Sequence, residues 1–345
     1  MQQGMRVRVI VWFRWGLVLV LLALGVEMAG CHAAPAPLPR ALAAPPPYAT
    51  PNPAATVTPF LPLPPTAAWL PTWTPSSTPT PSPTPTLPPP KNLAEAFERR
   101  VNILLLGSDQ RPWEVGFRTD TIILASYNPE TGATSLISFP RDLWLQIPGV
   151  GYNRINTAMF YGGFDTLAET MAIHFQVRPK YYILVGHHGF KAIIETLGGI
   201  DVYVPTRFCD NYYGRGFKCV GPGTVHMNAD EALWYARGRT YSNDLDRNRR
   251  QQAVLLAILD AIMSMDGLRR APELYNLYRQ WVDTNIRPGD LPGLLVKFRR
   301  FDPRKVKKYT FTAAHVYPWV TPGGAQVLLP NMSAIHEMLM EAATR

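Results

Sequence analysis

The apolar run at residues 101–106, ending at Gly107, predicts a central strand buried on both faces. Residues 121–127 and 134–139 are rich in β-branched and aromatic side chains, and Asn128-Pro129-Glu130-Thr131-Gly132 between them reads as a hairpin loop. Beyond residues 144–147, helices are predicted over 155–161 and 165–175, and a strand over 181–185. A helix over 190–197 is stopped by Gly198-Gly199, and a strand follows at 200–204. Further helices fall at 229–237, 244–265 and 272–278, and a final strand and helix lie within 325–345. Strands interleaved with helices imply an α/β (α+β) sandwich, a single domain with a central mixed β-sheet flanked by helices.

Within the helix at 244–265, Leu255, Ile258, Ile262 and Met265 form one stripe at 100° per residue. Extended backwards, that stripe takes in Asp244, Arg247 and Gln251, so a face that should be dry begins with two charges and an amide. Arginine in the first turns opposes the helix dipole, which suits a bound anion. A buried Asp–Arg pair that only fixes the helix is the plainer alternative.

Composition separates this domain from what precedes it. Of 35 prolines, 21 fall between Pro35 and Pro90. Residues 1–14 hold three arginines and 15–26 none of the charged residues, the dimensions of a signal peptide and too short a run for a spanning helix. Met28-Ala29-Gly30-Cys31 resembles a lipoprotein cleavage box, with Cys31 as the lipidated residue, although Glu27 and Met28 match it poorly. The alternative is an uncleaved anchor that snorkels Arg14. Residues 1–31 are therefore read as a signal peptide or anchor, and 32–90 as a Pro/Thr/Ala-rich spacer that cannot bury a core. At roughly 3.1 Å per residue such a spacer reaches on the order of 150 Å. Residues 91–345 form the exported domain, tethered by its N-terminus at the outer face of the cell membrane.

The formal charge is +9; four of the 34 basic and one of the 25 acidic residues precede Lys91, which leaves the domain at +6. That excess suits an anionic ligand or surface. Seven Lys/Arg lie within 297–308, a motive for a DNA-binding regulator that export contradicts, so no nucleic-acid partner is expected. Cys209 and Cys219, ten apart in a Gly- and Tyr-rich loop, suit a disulfide in an oxidising compartment, since zinc spacing is lacking.

Candidate chemistry gathers where strands end. Gly107-Ser108-Asp109-Gln110-Arg111 follows one strand and Arg118-Thr119-Asp120-Thr121 opens the next. Two carboxylates approaching ligand phosphates are a usual way to hold Mg²⁺ (or Mn²⁺), and Arg111 and Arg118 would neutralise the remaining charge. Loop acids in ordinary salt bridges are the competing reading. Phe139-Pro140-Arg141-Asp142 places another Arg–Asp couple at a boundary, and Arg237-Gly238-Arg239 offers guanidinium forks suited to phosphate oxygens.

Seven segments in order resemble the LytR-CpsA-Psr family of cell-wall ligases: residues 102–111, 118–121, 137–142, 153–158, 197–202, 230–239 and 244–252. The resemblance implies an exported, membrane-tethered phosphotransferase on a mixed sheet with a long apolar groove for polyprenyl lipid. Its activity would move a phosphoglycan from a polyprenyl diphosphate carrier to peptidoglycan or another envelope acceptor, with diphosphate hydrolysis as a side reaction. By position, Asp109 and Asp120 become the Mg²⁺ carboxylates, and Arg118, Arg141, Arg237, Arg239 and Arg247 the diphosphate clamps. Asp244 and Gln251 would orient that clamp. Asp142 or Asp109 would take the proton of the attacking sugar hydroxyl. A non-catalytic lipid- or wall-binding module on the same fold is the alternative. Two departures stand outside the core motifs: His187-His188-Gly189-Phe190, where the family has a polar residue and Phe before Gly-Phe, and a short spacer between Arg239 and Asp244. The region after Thr284 matches least.

Overall fold

The computed structural model describes residues 92–109, 118–239 and 244–345. The signal or anchor at 1–31 with Cys31, the spacer at 32–90, and Arg111 lie outside the described residues. The N-terminal helix α1 (Leu93–Glu98) is capped by the Asn92 side chain. The central sheet is built from β1 (Val101–Ser108), β2 (Thr119–Tyr127), β3 (Thr134–Ser138), β6 (Tyr181–Gly186), β11 (Val282–Thr284) and β12 (Val306–Thr310), in the order β11-β6-β1-β2-β3-β12. β1 is antiparallel to β2 and parallel to β6, so the sheet is mixed as expected.

Side-chain alternation gives this sheet two different faces. Leu104, Ile122, Leu124 and Ile137 point into the main core, packed under helices α2 (Ala158–Phe175) and α9 (Met332–Ala343). The opposite face lies beneath α3 (His187–Leu197), α4 (Ala229–Arg237) and α5 (Asp244–Met263). A second core joins α3 and α4 to the hairpin of β7 (Ile200–Val204) and β10 (Gly223–Met227). Three further hairpin strands and their partners complete the fold: β4 (Trp144–Ile147) with β5 (Gly151–Arg154), β8 (Phe208–Asn211) with β9 (Phe217–Val220), and β13 (Val316–Val320) with β14 (Gln326–Pro330). Between α5 and β11 come α6 (Met265–Arg269) and α7 (Ala271–Trp281), and before β12 comes α8 (Leu291–Lys297).

Several expected boundaries move. The break expected between the helices at 155–161 and 165–175 is present within α2, where Gly162 and Gly163 leave helical φ/ψ, and the first helix is preceded by a 3₁₀ turn at Ile155–Thr157. The helix expected to reach residue 265 stops at Met263, where the Ser264 hydroxyl donates back to the Ala261 carbonyl at 2.6 Å. α3 starts three residues before the expected Phe190, because Gly186 takes the extended N-cap conformation and puts His187 in the first turn. Among the described residues no helix is long and apolar enough to cross a membrane.

Candidate functional site

The site begins with a register shift. Pairing between β1 and β2 slips between Gly107 and Ser108, and a Cβ at Gly107 would stand 2.9 Å from Thr121 Oγ1, which is why glycine holds the position. Asp109 and Asp120 flank this irregularity. Asp109 Oδ1 accepts from the Arg118 backbone N–H at 3.0 Å. The parallel pairing of β1 with β6 sets Ser108 opposite Gly186, so the next residues on each chain, Asp109 and His187, leave the sheet at the same end. His187 is depressed below the ordinary histidine range by burial and by Arg237, against the opposing pull of Asp109 and Asp120. The imidazole is therefore neutral at pH 7.

Above this end a cavity of about 470 Å³ opens between the sheet and α3–α5. Its walls are mainly aliphatic, including Leu105, Ile123, Ile183, Val185, Leu255 and Ile258. Polar groups enter at one end: Asp120, His187, Arg237, Arg239, Arg247 and Gln251 all line it. Arg247 is only 2% exposed. Burial draws its pKa down to about 10 against the pull of Asp244, and Arg239 and Arg141 add to the depression. It remains a cation at pH 7. Arg247 Nη2 donates to Asp244 Oδ2 at 2.6 Å, and Arg239 Nη1 stands 3.7 Å from Asp244 Oδ1. Yet Arg247 Nε and Gln251 Oε1, both buried, find no partner among the described residues. Unsatisfied buried polar atoms are costly, and two of them on one cavity wall mark a place built for a polar ligand.

Both readings of the α5 stripe hold in part. The Asp244–Arg247 pair exists, and Arg247 and Gln251 also face the cavity with Leu255 and Ile258. The stripe is not a dry face, however. Leu255 and Ile258 are only half-buried and form part of the cavity wall, Ile262 is half-buried too, and the sealed positions of α5 are Arg247, Asn248, Arg250, Gln252 and Val254.

Arg141 Nη1 donates to Asp120 Oδ1 at 2.6 Å. Burial lowers its pKa, but Asp120, Asp142 and Asp244 outweigh that and hold it above its ordinary value. Asp142 lies between two guanidinium groups, 3.4 Å from Arg141 Nε and 3.4 Å from Arg154 Nε. That placement makes it a strut between arginines, and neither Asp142 nor Asp109 is among the residues lining the cavity. The Arg118 side chain is exposed and enters no cavity wall. Cys209 and Cys219 are joined, directly opposite each other on β8 and β9.

Among the described residues, no group of three or more His, Cys, Asp or Glu is placed to hold a metal by itself. Two carboxylates around one imidazole, with arginines beside them, fit instead a Mg²⁺ that completes its shell with ligand phosphates and water.

Two contributors escaped the sequence reading. His187, taken as lying outside the core motifs, lines the cavity beside them. Arg250 donates to the Tyr235 carbonyl at 2.5 Å and the Gly238 carbonyl at 2.6 Å while lying 4.2 Å from the centre of the Phe208 ring. It thereby fixes the Arg237-Gly238-Arg239 segment from behind. Its membership of an arginine-rich first turn was visible, but its direction was not.

The chain is similar to known proteins. The LytR_cpsA_psr family model matches residues 86–343. The polyisoprenyl-teichoic acid–peptidoglycan teichoic acid transferase TagU of Bacillus licheniformis is 32% identical over 193 residues, covering 55% of this chain and 61% of that one. TagV of Bacillus subtilis, described in the same words, is 30% identical over 234 residues, covering 65% and 59%. The chain thus spans about three fifths of the length of these curated relatives. The crystal structure of B. subtilis TagV superposes with a TM-score of 0.57 at 28% identity, covering 71% of this chain and 97% of that one. A structure described as TagT bound to LIIa-WTA gives 0.58 at 25% identity, covering 72% and 91%.

Proposed function

The chain belongs to the LytR_cpsA_psr family, and from that premise we propose that it is an extracytoplasmic phosphotransferase, moving a phosphoglycan from a polyprenyl diphosphate carrier to peptidoglycan or another envelope acceptor. One observation carries this reading: a single cavity has aliphatic walls suited to a polyprenyl chain and ends in arginines with unpaired buried atoms suited to its diphosphate. The names of the curated relatives agree in substrate class. The Cys209–Cys219 bridge agrees with an exported domain, tethered by residues 1–31 at the outer face of the cell membrane.

Arg237, Arg239 and Arg247 hold the diphosphate by charge-assisted hydrogen bonds in a water-poor pocket. Asp244 steers Arg247, and Gln251 accepts from a ligand hydroxyl or a bound water. Arg141 sets the orientation of Asp120. Asp109 and Asp120 would hold Mg²⁺, and that ion, when bound, would supply charge neutralisation on the phosphate oxygens. Asp109 would take the proton of the attacking sugar hydroxyl, a role supported by the arginines already engaging Asp120 and Asp142.

The test is release of polyprenyl phosphate from a labelled diphosphate-linked glycan with a muropeptide acceptor, in magnesium and in chelator. Metal-dependent release is expected. Binding of the donor without release under any of these conditions would make the domain a non-catalytic lipid-binding module.

A further inference from the structure

On the side of the sheet away from the cavity, two hairpins present aromatic rings to solvent. Leu145 and Ile147 of β4 are each 1% exposed in the main core, so the alternate residues of that hairpin, Trp144 and Tyr152 with Arg154, face outward. Tyr317 and Trp319 share one face of β13 and are 55% and 38% exposed, while Tyr152 is 65% exposed. The two sets form one surface: the Trp144 and Trp319 rings meet edge-on at 6.4 Å. The backbone joins them too, by a bridge between Leu143 and Leu328 and a hydrogen bond from Leu328 N to the Asp142 carbonyl at 2.9 Å. Arg154 completes the seam by donating to the Gln326 carbonyl at 2.8 Å.

This surface is linked to the polar end of the cavity through side chains. From Asp120 an unbroken series of ion pairs runs through Arg141 and Asp142 to Arg154, on the outward side of the β4–β5 hairpin. A molecule whose hydroxyl reaches the phosphorus beside Asp120 can lay its remainder along that line. The ring chemistry says what kind of molecule. Away from its polar end the cavity is walled mainly by aliphatic side chains, as a hydrocarbon chain requires, whereas this face offers flat rings with hydrogen-bonding groups at their edges, such as Asn331 Nδ2 donating to the Tyr317 hydroxyl at 3.2 Å. A pyranose has the matching surface, with C–H groups on its faces and hydroxyls around its rim, and Tyr and Trp serve such half-apolar, half-wet contacts. The exposed basic residues that an anionic membrane would attract lie elsewhere, at Arg299, Arg304, Lys305, Lys307 and Lys308.

We infer that Trp144, Tyr152, Tyr317 and Trp319 form the platform on which the acceptor's glycan strand stacks. This rests on the phosphotransferase reading for the identity of the acceptor, but the binding itself does not depend on turnover. The test uses the full chain and linear peptidoglycan glycan strands freed of stem peptides, titrated by calorimetry. Trp319→Ala should weaken strand binding roughly tenfold, the equivalent of about 1.4 kcal/mol. The Tyr317→Ala/Trp319→Ala pair should weaken it further, and Tyr152→Ala, on the other hairpin, should also weaken it. Trp319→Phe keeps a ring and should bind close to the parent. In the transfer assay the acceptor KM should rise in step while affinity for the polyprenyl diphosphate donor and the thermal midpoint stay unchanged. Equal strand affinity in the double variant and the parent would overturn the platform, as would loss of binding to anionic vesicles in place of strands. Strands that bind the parent and not the variant, with no polyprenyl phosphate released by either, would leave the platform standing and remove the phosphotransferase reading instead.

Discussion

Leu104 and Leu105 are neighbours on β1, yet Leu104 is wholly buried in the main core and Leu105 forms part of the cavity wall. The same division runs across the sheet, with Leu124 against Ile123 and Leu184 against Ile183. One face is filled by side chains from α2 and α9. The opposite face leaves space for something the chain does not supply, between the sheet and helices that carry the arginines. Strands apolar on both sides thus serve two ends, with folding energy concentrated on one face and ligand affinity on the other.

Four experiments break or sharpen that division. The largest effect belongs to the polar end of the open face: Asp120→Ala should bring metal-dependent release of polyprenyl phosphate to background, while calorimetry shows the donor's hydrocarbon chain still bound. Next comes the pair at the centre of the comparison. Leu104→Ala should cost about 2–5 kcal/mol in denaturant unfolding, as truncation in a sealed core does. Leu105→Ala should cost about 1 kcal/mol or less in the same measurement, because its site already borders empty space, and should instead weaken donor binding. Equal losses of stability would mean that the cavity closes in solution. Arg247→Ala should lower kcat/KM by the equivalent of about 2–4 kcal/mol and weaken donor affinity, since the fork is desolvated beside the phosphates. The smallest effect is a pH dependence on the filled side. His315, held below its ordinary pKa by burial, accepts from the Thr312 backbone N–H at 3.0 Å in its neutral form. Its folded pKa lies below the unfolded one, so its contribution is complete above about pH 6.5 and is lost as pH falls through the folded value. The unfolding midpoint should decline on acidification, and His315→Asn should flatten that slope.

Much of this plan was legible in the chain. A continuous apolar run marked β1 and β-rich composition marked β2 and β3, and the polar start of the α5 stripe pointed to a charged wall. What escaped depends on registers that only the folded sheet sets. His187 is 78 positions from Asp109 in sequence, and the parallel pairing of β6 with β1 is what makes them neighbours. The final strand and helix expected within 325–345 are β14 and α9, but the hairpin β8–β9 and the strand β13 were passed over because these strands are short and half exposed, so neither alternation nor a sustained apolar run marks them. The interruption expected between residues 161 and 165 is present, because Gly162 and Gly163 leave helical φ/ψ between two helical stretches.

The disulfide hairpin has a bearing on when the arginine clamp acquires its final support. Phe208, adjacent to Cys209, lies against the Arg250 guanidinium that holds the carbonyl between Arg237 and Arg239. Nearby, the Trp234 indole donates to the Asn211 carbonyl at 2.9 Å, fastening α4 to the same hairpin. Closing a loop of this size contributes roughly 2–3 kcal/mol, and it closes only where thiols are oxidised. On the proposed reading of an exported enzyme, the backing of the Arg237-Gly238-Arg239 segment would become covalent only on arrival in an oxidising compartment, which would couple compartment to competence through a single bond.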